Sequence, residues 1–135
     1  MTDELKAQML AAAQAARAVA YAPYSKYLVG AALLDEHGRI HAGCNVENAA
    51  YPQGICAEAG ALSAMVLAGG RRLQAVLVVG AGEHLITPCG GCRQRLREFG
   101  QPDALTILAA NERGIQAEWT LEQLFPQSFG PEHLS

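Results

Sequence analysis

The sequence predicts an α/β fold, a three-layer α-β-α sandwich in which helices cover both faces of a mixed five-stranded sheet. Helical and strand-like segments alternate along the 135 residues, and two of the strand-like runs are almost wholly apolar. Apolar runs without polar alternation suit strands that are covered on both faces. A chain of this length forms one domain of ordinary size, and we expect residues 1–135 to be a single domain.

The N-terminal part predicts one helix followed by a strand hairpin. Strong helix formers fill Glu4–Ala20, and Pro23 ends the helix. Four residues at helical spacing form its apolar face: Leu5, Met9, Ala12 and Ala16. Two strand-like runs follow, Tyr27–Leu34 and Arg39–Val46, and the polar turn between them indicates a hairpin.

The remainder alternates helices with buried strands. Helices are predicted over Cys56–Ala68 and Pro88–Phe99, and buried strands over Gln74–Gly80 and Ala104–Ala110. Gly114–Trp119 is a candidate edge strand. Two residues at capping-box spacing predict a short last helix, Thr120 and Gln123.

The charge of the chain argues against a nucleic-acid polymer as partner. The net charge is −3 and the pI is about 5.8, whereas nucleic-acid binders carry a basic stripe. Arg93, Arg95 and Arg97 are the nearest candidates, but alternate residues lie on different faces of a helix. We therefore expect no binding of DNA or RNA.

The apolar content indicates self-association rather than membrane insertion. Hydrophobic residues make up 50% of the chain and the mean hydropathy is +0.08, which an oligomer interface would explain. No apolar run is long enough to span a bilayer, and the start MTDELKAQML lacks the apolar core of a secretory signal. We expect a cytoplasmic protein, whose four cysteines then serve a metal or catalysis.

Three cysteines form a candidate metal site. Cys56, Cys89 and Cys92 each lie near the start of a predicted helix, where free N–H groups and the helix dipole stabilise thiolates. Three protein ligands leave one position open on tetrahedral zinc, as in catalytic sites. Cys44 is the remaining cysteine, either a small buried residue or a fourth ligand. The C-x-x-C pair by itself also allows a redox site or half of a zinc finger.

Glu58 distinguishes among these readings. C-x-E followed by P-C-x-x-C is the three-cysteine form of the zinc deaminase signature. At two residues from Cys56, the Glu58 carboxylate does not ligate through the same face, but it can lean over the open position. There it can take a proton from an attacking water and return it to the substrate. The alternative is a glutamate that merely favours the helix N-terminus.

The chain resembles the small cytidine deaminases almost from end to end. The resemblance lies in APYSKYLVGAALL, NVENAAYPQGICAE, TPCGGCRQRLREF and LFPQSFGP, which occur in the family's order. It implies a cytidine deaminase-like fold, one Zn²⁺ per chain and a homotetramer with shared active sites. It further implies hydrolytic deamination of cytidine and 2′-deoxycytidine in pyrimidine salvage, with Glu58 as the catalytic residue.

The resemblance also implies roles in binding the nucleoside. Asn45 and Glu47 correspond to residues that hydrogen-bond the ribose hydroxyls, and the backbone around Ala57 would hold the base. Three aromatic residues match positions near the base or at sites closed across subunit boundaries: Tyr27, Tyr51 and Phe129. Core packing is the competing role for these three.

One position departs from the family. Relatives commonly carry an arginine after Glu58, where this chain has Ala59. In relatives, that arginine donates hydrogen bonds to the thiolates. We expect Arg93, beside Cys92, to replace it as a hydrogen-bond donor to the cysteine ligands. The departure leaves open a deaminase of a modified cytosine nucleoside, of the blasticidin-S type. A non-enzymatic zinc module that binds partners is a further alternative, but it leaves Glu58 unexplained.

Overall fold

A computed structural model describes residues 1–135 as one five-stranded sheet with four helices. The strands are β1 (Gly30–Asp35), β2 (Ile40–Cys44), β3 (Leu73–Val79), β4 (Thr106–Asn111) and β5 (Gly114–Thr120). The helices are α1 (Asp3–Ala18), α2 (Ala57–Leu67), α3 (Gly90–Arg97) and α4 (Leu121–Leu124). Single 3₁₀ turns lie at Tyr51–Gln53 and Pro131–Leu134. None of the helices combines the length and the apolar character needed to cross a membrane.

The sheet has the order β2-β1-β3-β4-β5 and is mixed, as the sequence predicts. Only β3 and β4 run parallel, and α3 lies in the connection between them. The other neighbouring pairs are antiparallel. The predicted edge strand is confirmed as β5, which pairs with β4 alone.

Two apolar clusters pack on opposite faces of the sheet and make the three layers. Along β1, Ala31 and Leu33 join the cluster that contains residues of α2 and α3, whereas Ala32 and Leu34 join the cluster that contains α1. This alternation follows from the two-residue period of a strand. On α1, Met9 and Ala13 are fully buried in this cluster, and Leu5 and Ala12 pack against it while partly buried. Leu5, Met9 and Ala12 therefore contact the sheet as predicted, and Ala13 joins them.

Several element boundaries differ from the prediction, and at the first strand the reason is a side chain that takes over backbone hydrogen bonds. The first strand begins at Gly30 rather than at Tyr27, since the Asn45 side chain accepts from the Val29 N–H at 2.8 Å and donates to the Tyr27 carbonyl at 2.9 Å. Helix α3 begins two residues after Pro88. At the last helix, the predicted capping box is confirmed.

Helix α2 lies very close to β2, and Gly43 makes this possible. A Cβ atom at Gly43 would lie 2.4 Å from the Ala61 nitrogen and 2.5 Å from the Ala57 carbonyl oxygen. Real Cβ atoms do not approach backbone atoms so closely, so glycine is required at this crossing. The contact holds the first turn of α2, which carries Glu58, against the edge strand.

Asp35 organises the turn between β1 and β2. Its carboxylate is fully buried and accepts hydrogen bonds from the backbone N–H groups of His37 and Arg39 at 2.8 and 3.0 Å. The other oxygen accepts from Arg39 Nε at 2.9 Å and lies 2.8 Å from His41 Nε2. Burial alone would raise the pKa of Asp35, but these hydrogen bonds outweigh it and hold the pKa well below its ordinary value.

We expect Asp35→Asn to lower the free energy of unfolding at pH 7 by about 3 kcal/mol, because it removes one partner of a buried charged network. A carboxyl pKa lowered by folding contributes its full stability above the unfolded value near pH 4, and that contribution is lost progressively as the pH falls from there toward the lowered pKa of the folded protein. The difference between the two proteins should therefore shrink below about pH 4. Urea unfolding measures it, with exposed Asp103→Asn as the control. Equal stability of Asp35→Asn and the unaltered chain at pH 7 would contradict the assignment.

Candidate functional site

The structure brings the three predicted cysteine ligands together. The sulfur atoms of Cys56, Cys89 and Cys92 all lie within 4.8 Å of one another. Cys56 and Cys89 occupy the N-cap positions of α2 and α3, and Cys92 follows in the first turn of α3. Two helix N-termini therefore converge on one group of thiols, a geometry in which each sulfur offers one ligand atom to a metal ion.

The three thiols differ in acidity because their surroundings differ. Backbone N–H groups in the first turn of α3, that of Cys92 foremost, lower the pKa of Cys89. Burial raises the pKa of Cys56 and also that of Cys92, where the Glu58 carboxylate adds to the effect. A divalent cation among the sulfurs would reverse the raised values, because coordinated thiols are deprotonated. The donor set of three soft thiolates fits zinc.

Cys44 lies outside this cluster. It ends β2 and is partly buried, and the group of candidate ligands contains Cys56, Cys89 and Cys92 without it. The cluster thus offers three candidate ligands, the number typical of catalytic zinc sites, which keep one position for water or substrate.

Glu58 lies in the first turn of α2, two residues after the Cys56 N-cap. Only 6% of the residue is exposed, and burial raises the pKa of its carboxyl group. The positive charge of Arg95 and a hydrogen bond from Cys92 act in the opposite direction. A buried carboxyl group with a raised pKa is suited to accepting and returning a proton near neutral pH.

Glu58 and two of the cysteines line one cavity with Asn45. The cavity measures about 280 Å³. Its lining consists of Val29, Asn45, Cys56, Ala57, Glu58, Ile86, Thr87 and Cys89. Because Ala57 is the first residue of α2, its N–H has no partner within the helix and remains available at the cavity. A small polar molecule in this cavity could therefore contact the Glu58 carboxyl group, the Ala57 N–H and the Asn45 side-chain amide at the same time.

Asn45 reaches this cavity because the segment after β2 continues as an isolated bridge. Val46 and Ile55 exchange two backbone hydrogen bonds of 2.9 Å, which sets Asn45 beside Cys56. The Asn45 side chain makes one hydrogen bond to Val29 and one to Tyr27. An amide has two N–H donors and two acceptor sites, so half of its capacity is free for a ligand.

Glu47 lines a separate cavity of about 380 Å³ together with Tyr24, Ser25 and Tyr51. Its carboxylate accepts from the backbone N–H groups of Tyr24 and Ser25 at 2.9 and 3.1 Å, and from the Ser25 hydroxyl. These bonds, that of the Ser25 hydroxyl first, hold the pKa of Glu47 below its ordinary value. We call the cavity lined by Glu58 the inner cavity and the one lined by Glu47 the outer cavity. Glu47 is therefore a fixed anion in the outer cavity, whereas Asn45 faces the inner one.

The three predicted aromatic residues lie outside the inner cavity. Tyr27 packs its hydroxyl end against Gly80, where a Cβ atom would lie 2.3 Å from that oxygen. Tyr51 is 76% exposed and meets Tyr24 edge to face at 6.1 Å between ring centroids. Phe129 is 54% exposed and stacks on His133 at 5.2 Å. Within one chain, neither Tyr51 nor Phe129 is a core residue.

The expectation that Arg93 tempers the thiolates is wrong. Its guanidinium donates to the Pro88 carbonyl at 2.7 Å, to the Thr87 hydroxyl at 2.8 Å and to the Leu124 carbonyl. Adjacent helix residues point about 100° apart, so a neighbour of Cys92 in sequence is turned away from its sulfur.

The residue that reaches a cysteine sulfur is Arg95, which the sequence analysis did not select. Its Nη1 lies 3.6 Å from the Sγ of Cys92. Residues three apart share one face of a helix, so this spacing was the signal that could have identified it.

Residues 3–108 match the family model described as the cytidine and deoxycytidylate deaminase zinc-binding region. The chain is 42% identical over 128 residues to a cytidine deaminase of Sporosarcina psychrophila, which covers 95% of this chain and 93% of that relative. It is also 42% identical over 119 residues to a cytidine deaminase of Mycobacterium tuberculosis, covering 88% of this chain and 85% of the relative.

Solved structures agree with these sequence matches. The crystal structure of a cytidine deaminase from Burkholderia pseudomallei superposes with a TM-score of 0.85 at 42% identity, covering 96% of this chain and all of that one. The cytidine deaminase structure from Mycobacterium tuberculosis gives a TM-score of 0.80 at 37% identity, covering 97% and 100% of the two chains. The likeness therefore extends over nearly the whole chain.

Proposed function

The chain belongs to the cytidine and deoxycytidylate deaminase family and is a deaminating hydrolase, and on that premise we propose that it deaminates the nucleosides cytidine and 2′-deoxycytidine in a zinc-dependent reaction. Water replaces the amino group at C4, so that a C–O bond forms, the C–N bond breaks, and uridine or 2′-deoxyuridine leaves with ammonia. Residues 1–135 act as a single catalytic domain in this proposal.

The observation that carries the proposal is one cavity that joins the cysteine cluster to Glu58 and Asn45. Cys56, Cys89 and Cys92 would hold one Zn²⁺, which as a Lewis acid makes water a nucleophile near neutral pH. The Glu58 carboxylate takes a proton from the attacking water and delivers it to N3 of the base. The same side chain carries the second proton to the departing ammonia.

Asn45 and Glu47 would bind the ribose hydroxyls. Asn45 has a free N–H and a free acceptor site, and the fixed Glu47 carboxylate accepts hydrogen bonds from hydroxyl groups. The Ala57 N–H would hold the base at the start of α2. A place near the base for Tyr27 rests on the resemblance alone, because its hydroxyl packs beside Gly80 and its side chain does not line the inner cavity.

The charge of the lining favours a nucleoside over a nucleotide. Neither cavity is lined by a lysine or an arginine, and the outer cavity contains the Glu47 carboxylate. A phosphate group would meet repulsion from that carboxylate, and Lys26, the cation that acts on Glu47, lies outside the lining of both cavities. Free cytidine and 2′-deoxycytidine carry no charge to repel.

We further propose a homotetramer in which neighbouring subunits complete each site, working in pyrimidine salvage in the cytoplasm. Tyr51 and Phe129 are large aromatic residues that a single chain leaves exposed, and both lie in segments that the resemblance assigns to subunit boundaries. Tyr51 lies at the rim of the outer cavity, where a second chain would enclose the ligand. The free cysteines suit a reducing compartment.

Mixing an impaired variant with an inactive one tests the shared site. We expect Phe129→Ala to impair turnover and Glu58→Gln to abolish it, and we expect mixed oligomers formed by co-refolding to regain activity. Chains with intact Glu58 would receive Phe129 from their neighbours. Sedimentation equilibrium measures the mass against the 14.3 kDa chain. A stable monomer with full activity would contradict the shared site.

The substrate is tested by the absorbance change and ammonia release when the purified protein meets cytidine, 2′-deoxycytidine, 2′-deoxycytidine monophosphate or blasticidin S. We expect turnover of both nucleosides and at most weak turnover of the phosphate. Preference for blasticidin S would favour the modified-nucleoside alternative, and an absence of turnover with every compound by a zinc-loaded protein would favour a binding module.

A further inference from the structure

The guanidinium of Arg95 lies in an unusual place for a surface arginine. It folds back toward the start of α3, where its Nη1 lies 3.6 Å from the Cys92 sulfur and 3.4 Å from the position of a Cβ on Gly91. A cation near a helix N-terminus opposes the helix dipole. The contact with Cys92 is the only hydrogen bond that its side chain makes, and it forms no ion pair with a carboxylate. An anionic sulfur is the group that explains this position.

The negative charge of the site favours a cation beside Cys92. Three thiolates around a divalent ion leave a net charge of −1, and the buried Glu58 carboxylate adds a second negative charge nearby. Ala59, next to Glu58, supplies no cation. Arg93 is occupied by two carbonyls and a hydroxyl. Arg95 is the cation that reaches a ligand sulfur.

We propose that Arg95 is a positioning residue for the metal site, whose guanidinium donates to the Cys92 thiolate and draws electron density from the sulfur and so from the metal. The inference rests on the proposed zinc site. Its consequence is tighter metal binding, since a thiolate that accepts a charge-assisted hydrogen bond is stabilised in its deprotonated form. A second consequence is a metal that withdraws electrons more strongly from its remaining ligand.

Two measurements on the metal-loaded protein test this without measuring turnover. Chelator competition gives the affinity for Zn²⁺, and the sulfur-to-metal charge-transfer band of the Co²⁺ form reports the electron density on the thiolates. For Arg95→Gln we expect about tenfold weaker Zn²⁺ binding, because a hydrogen bond to a charged group is lost at a partly exposed position. We expect the band to move to lower energy, because an electron-rich sulfur gives up an electron more readily.

Two further variants serve as comparisons: Arg95→Lys is the conservative replacement, and Arg113→Gln is the surface control. Lysine keeps the charge without the planar fork, so it should restore part of both effects. Arg113 pairs with Glu83 on the surface and should leave both measurements unchanged when replaced. An unchanged affinity and band in Arg95→Gln, or a lysine variant no better than the glutamine variant in both, would overturn the role of Arg95 alone. Failure of the unaltered protein to bind Zn²⁺ or Co²⁺ would overturn the zinc site and this inference together.

Discussion

Glu58→Gln is expected to lower turnover of cytidine by about 10⁴-fold or more while the fold and the bound metal remain. General acid–base residues typically contribute about 10²–10⁴-fold. Here one carboxylate handles successive protons, to N3 and to the leaving ammonia, so the loss should reach the top of that range. Glutamine has nearly the same shape and keeps the buried site filled, but it cannot accept the proton from the attacking water.

The readouts for this variant are kcat, circular dichroism and zinc content in the same preparation. Glu98→Gln is a suitable control, because Glu98 is an exposed carboxylate at the end of α3, away from the cavity that Glu58 lines. We expect that variant to keep its activity. Near-normal turnover in Glu58→Gln would refute the proton-transfer role, and loss of both zinc and fold would assign a structural role to the carboxylate instead.

The second large effect is expected for Cys89→Ala, which should reduce the zinc content from about one ion per chain to almost none and abolish turnover with it. Cys89 is the best ligand to remove, because it is exposed whereas Cys92 is buried in the core. Its loss therefore changes the metal site with little change in packing. Two remaining thiolates cannot hold zinc at the affinity of three.

Cys44→Ala is the matched control for the same measurement. Cys44 lies at the end of β2 and outside the sulfur cluster, so we expect its variant to retain zinc and turnover. Metal content is measured by atomic absorption after gel filtration. Loss of zinc from Cys44→Ala would indicate a fourth cysteine ligand, a closed site with no position for water, and would contradict the deaminase mechanism.

The sequence by itself was sufficient for the parts of this protein that depend on local spacing. The apolar runs around Val76 and Leu108 predicted the two central strands, because a strand covered on both faces has no polar side. The Thr120 capping box predicted the last helix, because its bonds join residues three apart. The cysteines were recognisable as one candidate site from their positions at helix starts and from the family resemblance.

The tertiary structure decided which side chains meet across distant segments. In the folded chain, the Asn45 side chain forms hydrogen bonds with the backbone of Tyr27 and Val29, and the first strand is therefore shorter than predicted. The tertiary structure also separated Asn45 and Glu47 into two cavities, although they are two residues apart. Neither result follows from the spacing of residues within one segment.

The choice between Arg93 and Arg95 as the donor to Cys92 could not be made from the sequence. Arg93 adjoins Cys92 in sequence, but it binds Leu124 on another helix, while Arg95 turns back to the sulfur. Helix periodicity makes Arg95 eligible for that contact but does not choose it over solvent. The choice depends on the charges and carbonyl groups that packing brings within reach of each guanidinium, and those groups come from segments far apart in the sequence.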